Sequence, residues 1–179
     1  MARSPPVTLS FSRFQTTLFL LAGLLALAGP APAGAQEGVV KETFGEWKLV
    51  CDTPAGASSE QCAIIQLVLD EEADIGLSAI VLRTADGKAE LLRVVVPLGV
   101  VLPNGLGLLV DEKNIGNAQF TSCLADGCYA QVVLNDQLLE TLKEGDSATF
   151  VVFKTPEEGI GVPIELDSFA EAYEALSAN

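Results

Sequence analysis

The stretch from Pro97 to Glu112 constrains the fold most, because it strings apolar runs between prolines and glycines. Asn104-Gly105, set between such runs, is a strong short-range hairpin signal, since both residues tolerate the positive φ of a type I′ turn. Pro97 and Pro103 have no N–H to give a ladder, so the segment belongs at a strand start or a sheet edge. Gly99, Gly105 and Gly107 mark bends or points where another backbone comes close.

Runs with strand periodicity flank this stretch on both sides. Trp47, Leu49 and Cys51 share one face of a strand over residues 45–51, which turns the single tryptophan inward as a packing residue. Residues 61–69 form the next strand, with Cys62, Ile64, Gln66 and Val68 on one face and Ala63, Ile65, Leu67 and Leu69 on the other. Both faces are largely apolar, as expected of a strand near the centre of a sandwich. The acidic run from Asp70 to Asp74 lacks the twelve-residue spacing of a calcium loop, and so is expected to be a solvated turn. Residues 75–83 and 89–96 pair around Asp86-Gly87, another hairpin dipeptide. Asn114-Ile115-Gly116-Asn117 is a turn in this reading. Strands follow over residues 118–123 and 128–134, then a short helix or strand over 137–143. A long strand over 147–154, rich in β-formers, and a short one over 162–166 complete the set.

The period changes at the C-terminus. Phe169, Ala172, Tyr173 and Leu176 fall at i, i+3, i+4 and i+7, an amphipathic stripe for packing onto a sheet. Asp167 or Ser168 can cap this helix, and Ser168 followed by Glu171 has the spacing of a capping box. Short strands cut by Gly, Pro, Asn and Asp turns, with one small terminal helix, predict an all-β fold: an antiparallel, immunoglobulin-like β-sandwich.

The first 35 residues have the pattern of an export signal. Arg3 and Arg13 precede an apolar run from Leu18 to Gly29, and Ala33-Gly34-Ala35 fits a small-x-small cleavage site, with Gln36 as the mature start. The run is too short for a comfortable membrane span, which needs about 20 residues. Removing the signal leaves residues 36–179, the size of one domain. All four cysteines, Cys51, Cys62, Cys123 and Cys128, lie in that part. An even count behind an export signal points to disulfides in an oxidising compartment. Three connectivities are open on paper. Nearest-neighbour pairing, Cys51–Cys62 and Cys123–Cys128, is favoured because each pair brackets a turn-rich segment.

Charge and composition exclude more than they assign. The whole chain carries 10 Lys plus Arg against 24 Asp plus Glu, and removing the signal takes away two arginines and no acid. Such a surface repels nucleic acid and anionic headgroups. There is no histidine, which removes Ser-His-Asp and Cys-His catalysis and His-ligated zinc. Gly105-x-Gly107 lacks the further glycine and the strand-to-helix context of a phosphate loop. A carboxylate pair could serve hydrolysis, with Asp111, Glu112, Glu90 and Asp126 as candidates. Cys123-x4-Cys128 does not offer the close spacing of a redox motif.

An ordered set of these features resembles the invasion-associated locus B family of exported bacterial proteins. The carrying residues are Trp47 with Cys51, Cys62 and its strand, and Pro97-Leu98-Gly99-Val100 through Leu102-Pro103-x-Gly105 to Val110-Asp111. Phe120-x-x-Cys123-x-x-x-Gly127-Cys128-x-Ala130 and the terminal Phe169-x-x-Ala172 complete the set. The family tends to place Gly before the terminal Phe, where this chain has Ser168. The resemblance implies a periplasmic or envelope-associated β-sandwich with two disulfides, and it brings no catalytic residue. The expectation is a non-enzymatic exported protein, without cofactor or metal, that binds a protein or envelope component. Nucleic acid is excluded as a partner, no transmembrane span is expected after residue 35, and peripheral membrane association is left open. A carboxylate-based enzyme or small-ligand carrier is the alternative.

Overall fold

The structure, a computed structural model, describes residues 38–71 and 75–179. The expected export signal, its cleavage site before Gln36, and Glu72, Ala73 and Asp74 of the acidic run lie outside the described residues. Among the described residues, eleven strands form two antiparallel sheets, with two short helices.

A meander builds most of the larger sheet: β1 (Val39–Phe44), β2 (Trp47–Asp52), β3 (Gln61–Asp70), β4 (Ile75–Arg83) and β5 (Glu90–Val96). After β5 the chain passes Pro97 and a single 3-10 turn, Leu102–Asn104, into the second sheet as β6 (Leu106–Val110) and β7 (Lys113–Ala118). It returns at Gln119, so that β8 (Phe120–Leu124) and β9 (Gly127–Val133) complete the order β1-β2-β3-β4-β5-β9-β8. Helix α1 (Asp136–Glu144) then leads to the hairpin β10 (Ser147–Phe153) and β11 (Gly159–Glu165), giving the small-sheet order β11-β10-β6-β7. Helix α2 (Phe169–Ser177) ends the chain.

Alternation decides what is buried. Trp47, Leu49 and Cys51 on β2, Leu77, Ala79 and Val81 on β4, and Leu92, Val94 and Val96 on β5 point inward. They meet Ala148, Phe150 and Val152 of β10 and Val162 and Ile164 of β11. Burying each larger side chain is worth about 1.5–3 kcal/mol. Trp47 packs edge-on to Phe169 of α2 with centroids 5.1 Å apart, and its Nε1 donates to the Glu165 carbonyl at 2.9 Å. Gln66, 1% exposed on β3, donates from Nε2 to the same carbonyl at 3.2 Å. One backbone oxygen therefore ties the end of β11 to β2 and β3, beneath α2.

Several local expectations are corrected. Asn104-Gly105 makes no hairpin. Pro103 sets the 3-10 turn, the Asn104 carbonyl accepts from Asn117 Nδ2 at 2.9 Å, and its amide donates to the Pro156 carbonyl at 3.1 Å. Gly105 is required there (φ 68°), since a Cβ would lie 2.2 Å from Asn117 Oδ1. The hairpin turn of this region is Asp111-Glu112, both at positive φ (48° and 64°). Asp111 Oδ1 secures it by accepting from the backbone N–H groups of Asp146 and Ser147, each at 3.0 Å. Residues 114–117 lie within strand β7 rather than a turn, and β1 precedes the first expected strand. The second face of β3 is covered only in part: Ala63 and Ile65 are half-buried, whereas Leu67 and Leu69 are 72% and 68% exposed. Ser168 precedes α2 in the left-handed region (φ 63°) and makes no side-chain capping bond, so the capping box is not formed. The ambiguous segment over 137–143 is helix α1. Its N-cap is Asn135, whose Oδ1 accepts from the Leu138 N–H at 2.9 Å.

Candidate functional site

The two sheets do not close along one side. On the large sheet, β8 pairs with β9 only as far as Phe120 opposite Ala130, which leaves the edge open from the Gln131 carbonyl to Val133. On the small sheet, β7 is the last strand. Between them lies a cleft of about 430 Å³, within the range of ligand pockets. Its floor is apolar, made of Leu92, Val94, Leu106, Leu108, Ala130 and Phe150. Carboxamides and one hydroxyl dominate the rim, with Asn114 and Asn117 from β7, Gln131 from β9, and Asn135, Gln137 and Thr141 around α1. Asn117 is spent on the structure, giving its Nδ2 to Asn104 and accepting from Gln119 Nε2 at 3.2 Å.

Among the described residues, Lys113 is the one charged residue that lines the cleft. In a chain with 24 Asp and Glu, an acid-free lining is a marked departure from the rest of the surface. The cleft can bury apolar groups, offer neutral hydrogen-bonding partners, and favour a neutral or anionic occupant at Lys113.

The four candidate acids do not converge on it. Asp111 and Glu112 form the β6–β7 turn, and Asp111 is engaged with backbone N–H groups. Glu90 begins β5, pairs with Arg83 at 3.2 Å and accepts from the Tyr173 hydroxyl. Burial, and then that carboxylate, push the Tyr173 phenol above its ordinary value. Asp126 lies in the β8–β9 turn, at the opposite end of β5 from Glu90 by register. It accepts from the Tyr129 hydroxyl, which raises the Tyr129 pKa.

The cysteines are paired as nearest neighbours, Cys51–Cys62 and Cys123–Cys128. Each pair sits directly opposite across a hairpin, β2 with β3 and β8 with β9. Glu60 lies close to the first bridge, where two sulfurs and a carboxylate would otherwise suit a metal, and it pairs with Lys41 at 2.9 Å. Among the described residues no helix is long and apolar enough to cross a membrane.

The cleft residues went unrecognised in the sequence because Asn114–Asn117 and Asn135 have turn composition, and the floor is assembled from distant strands. The one available signal was the pair of incomplete edges, which needs the topology to be seen.

The family model described as Invasion associated locus B (IalB) protein matches residues 47–177, from the buried Trp47 to the last residue of α2. The chain belongs to the IalB family. Two curated relatives are the invasion protein B homologs of Brucella abortus strain 2308 and of Brucella abortus biovar 1 strain 9-941. Each is 26% identical over 166 residues, covering 90% of this chain and 92% of the relative. The crystal structure of invasion associated protein b from Bartonella henselae is similar with a TM-score of 0.63. That match covers 76% of this chain and 95% of the other at 21% identity, a likeness of fold. IalB membership thus agrees with the open sandwich, the two bridges and the two short helices.

Proposed function

We propose that this IalB-family chain is a non-enzymatic protein of the periplasm or cell envelope that binds another macromolecule in the cleft between its sheets. In this reading residues 1–35 are removed on export and residues 36–179 work as a single domain. The observation that carries it is the acid-free, apolar-floored cleft in an otherwise acidic chain. Two paired disulfides suit an oxidising compartment. Relatives named as invasion protein B homologs support a link to host-cell contact. The competing carboxylate-enzyme reading has less support, because Glu90 and Asp126 stand at opposite ends of β5.

Site-specific photocrosslinking in intact cells tests the proposal. A benzoylphenylalanine at Asn114, on the cleft rim, is expected to give adducts of discrete mass in the envelope fraction. The same probe at Glu157, on the exposed β10–β11 loop, is expected to give none. Equal labelling from both positions, or only uncrosslinked protein from Asn114, contradicts the cleft as the binding site.

A further inference from the structure

We propose that the cleft's occupant is an extended polypeptide strand, added along the open edge of β9, with alternate apolar side chains seated on the cleft floor. The inference rests on the cleft being the binding site and names the chemistry of what enters it.

Hydrogen-bond parity on β9 carries the argument. The N–H of Leu134 donates to the Glu90 carbonyl at 2.8 Å, so the even-numbered residues of this segment spend their backbone groups on β5. In an antiparallel ladder the odd-numbered residues then direct theirs to the other side. Strand β8 covers that side only to Ala130. The pairing of Phe120 with Ala130 already draws on the Gln131 N–H, so along the cleft Gln131 presents its C=O and Val133 its N–H, the acceptor and donor that flank Val132. The Val133 carbonyl already accepts from the Asn135 N–H at 3.0 Å, which sets the end of any added strand just before α1. Inward side chains of that strand would lie beside Ala130 and Val132, over Leu108 and Phe150.

Other edges are guarded and this one is not. Pro163 sits on β11, and β1 is broken by a bulge between Val40 and Glu42 where Lys41 adds a charge. β7 and β8 carry bulges of their own, opposite Leu108/Leu109 and between Phe120 and Ser122. Such devices discourage strand addition, whereas Gln131–Val133 has neither proline, bulge nor charge. An acyl chain would fill the floor but leave this backbone donor and acceptor without protein partners, so a peptide satisfies more of the site. Lys113, the only charge among the described lining residues, favours a strand with a carboxylate near one end.

The test is an amide-resolved NMR titration of isotope-labelled protein purified from the envelope. The probes are a library of octapeptides that alternate valine with threonine and end in aspartate, the same library with alternate backbone nitrogens methylated, dodecanoate, and phosphatidylglycerol vesicles. The unmethylated peptides are expected to move the Gln131, Val133 and Asn114 amides saturably. Methylation, or the variant Val133→Pro, is expected to weaken binding at least about tenfold, the scale of one or two lost hydrogen bonds. Lys113→Glu, an exposed change that leaves the fold intact, is expected to weaken it by roughly threefold or more. Dodecanoate or vesicles moving these amides while peptides do not would overturn the strand and leave the cleft standing. Equal binding of methylated and unmethylated peptides also overturns the strand. Silence at these amides with every probe overturns strand and cleft together.

Discussion

Ser168 shows how a residue can match a pattern and still miss its geometry. Ser168 and Glu171 have capping-box spacing, yet the chain turns so sharply from β11 into α2 that Ser168 takes a left-handed φ of 63° and makes no side-chain capping bond. An L-residue pays about 1–2 kcal/mol for that conformation, and glycine, which the resemblance placed at this point, does not. Ser168→Gly is therefore expected to stabilise the fold by about 0.5–1 kcal/mol after the greater flexibility of the unfolded glycine chain is counted. A urea midpoint that moves down instead of up would show that Ser168 makes a favourable contact of its own. The spacing told where the helix begins; it could not tell how the chain enters it. Trp47 was legible for the opposite reason. Its place in the Trp47-Leu49-Cys51 alternation allows one inward face, and it is buried there against Phe169.

Strands that bury one face completely were readable, and strands that hardly bury anything were not. β2, β4, β5, β9 and β10 carry apolar residues at period two, and their expected positions match within a residue or two. β1 exposes nearly all of Val39–Phe44, and β7 is Lys113–Ala118, a polar segment with a glycine. Both are edge strands held by ladder hydrogen bonds and partner alternation, which leave little trace in composition. The turn signal of Asn104-Gly105 failed because Pro103 and the cross-contacts to Asn117 and Pro156 compete for the same residues. The cysteine pairs were readable because each closes a short segment, 11 and 5 residues apart in sequence. Replacing Cys51 and Cys62 together by alanine is expected to lower stability by about 2–3 kcal/mol, and replacing Cys123 and Cys128 by less, since the shorter loop constrains the unfolded chain less. Equilibrium unfolding in urea reads both. A larger loss from the Cys123–Cys128 pair contradicts the loop-closure explanation.

At the scale of the molecule, the sandwich follows from many short strands and few helices. The cleft does not follow from composition, because it arises where β8 stops short of covering β9 while β7 ends the other sheet. Its rim residues, carboxamides in segments of turn composition, acquire meaning only once the sheets are assembled. The acid-free lining likewise emerges from topology: among the described residues, none of the acids of this acidic chain lines the cleft. Everything proposed at this scale depends on the chain working outside the cytoplasm as a cleaved, doubly bridged domain. The most direct test is the intact mass of protein isolated from the native cell, with and without reduction, together with a free-thiol count. A mass starting at Gln36, no free thiols, and a gain of two hydrogens per bridge on reduction is the predicted result. An uncleaved chain with free thiols in fresh preparations would contradict it.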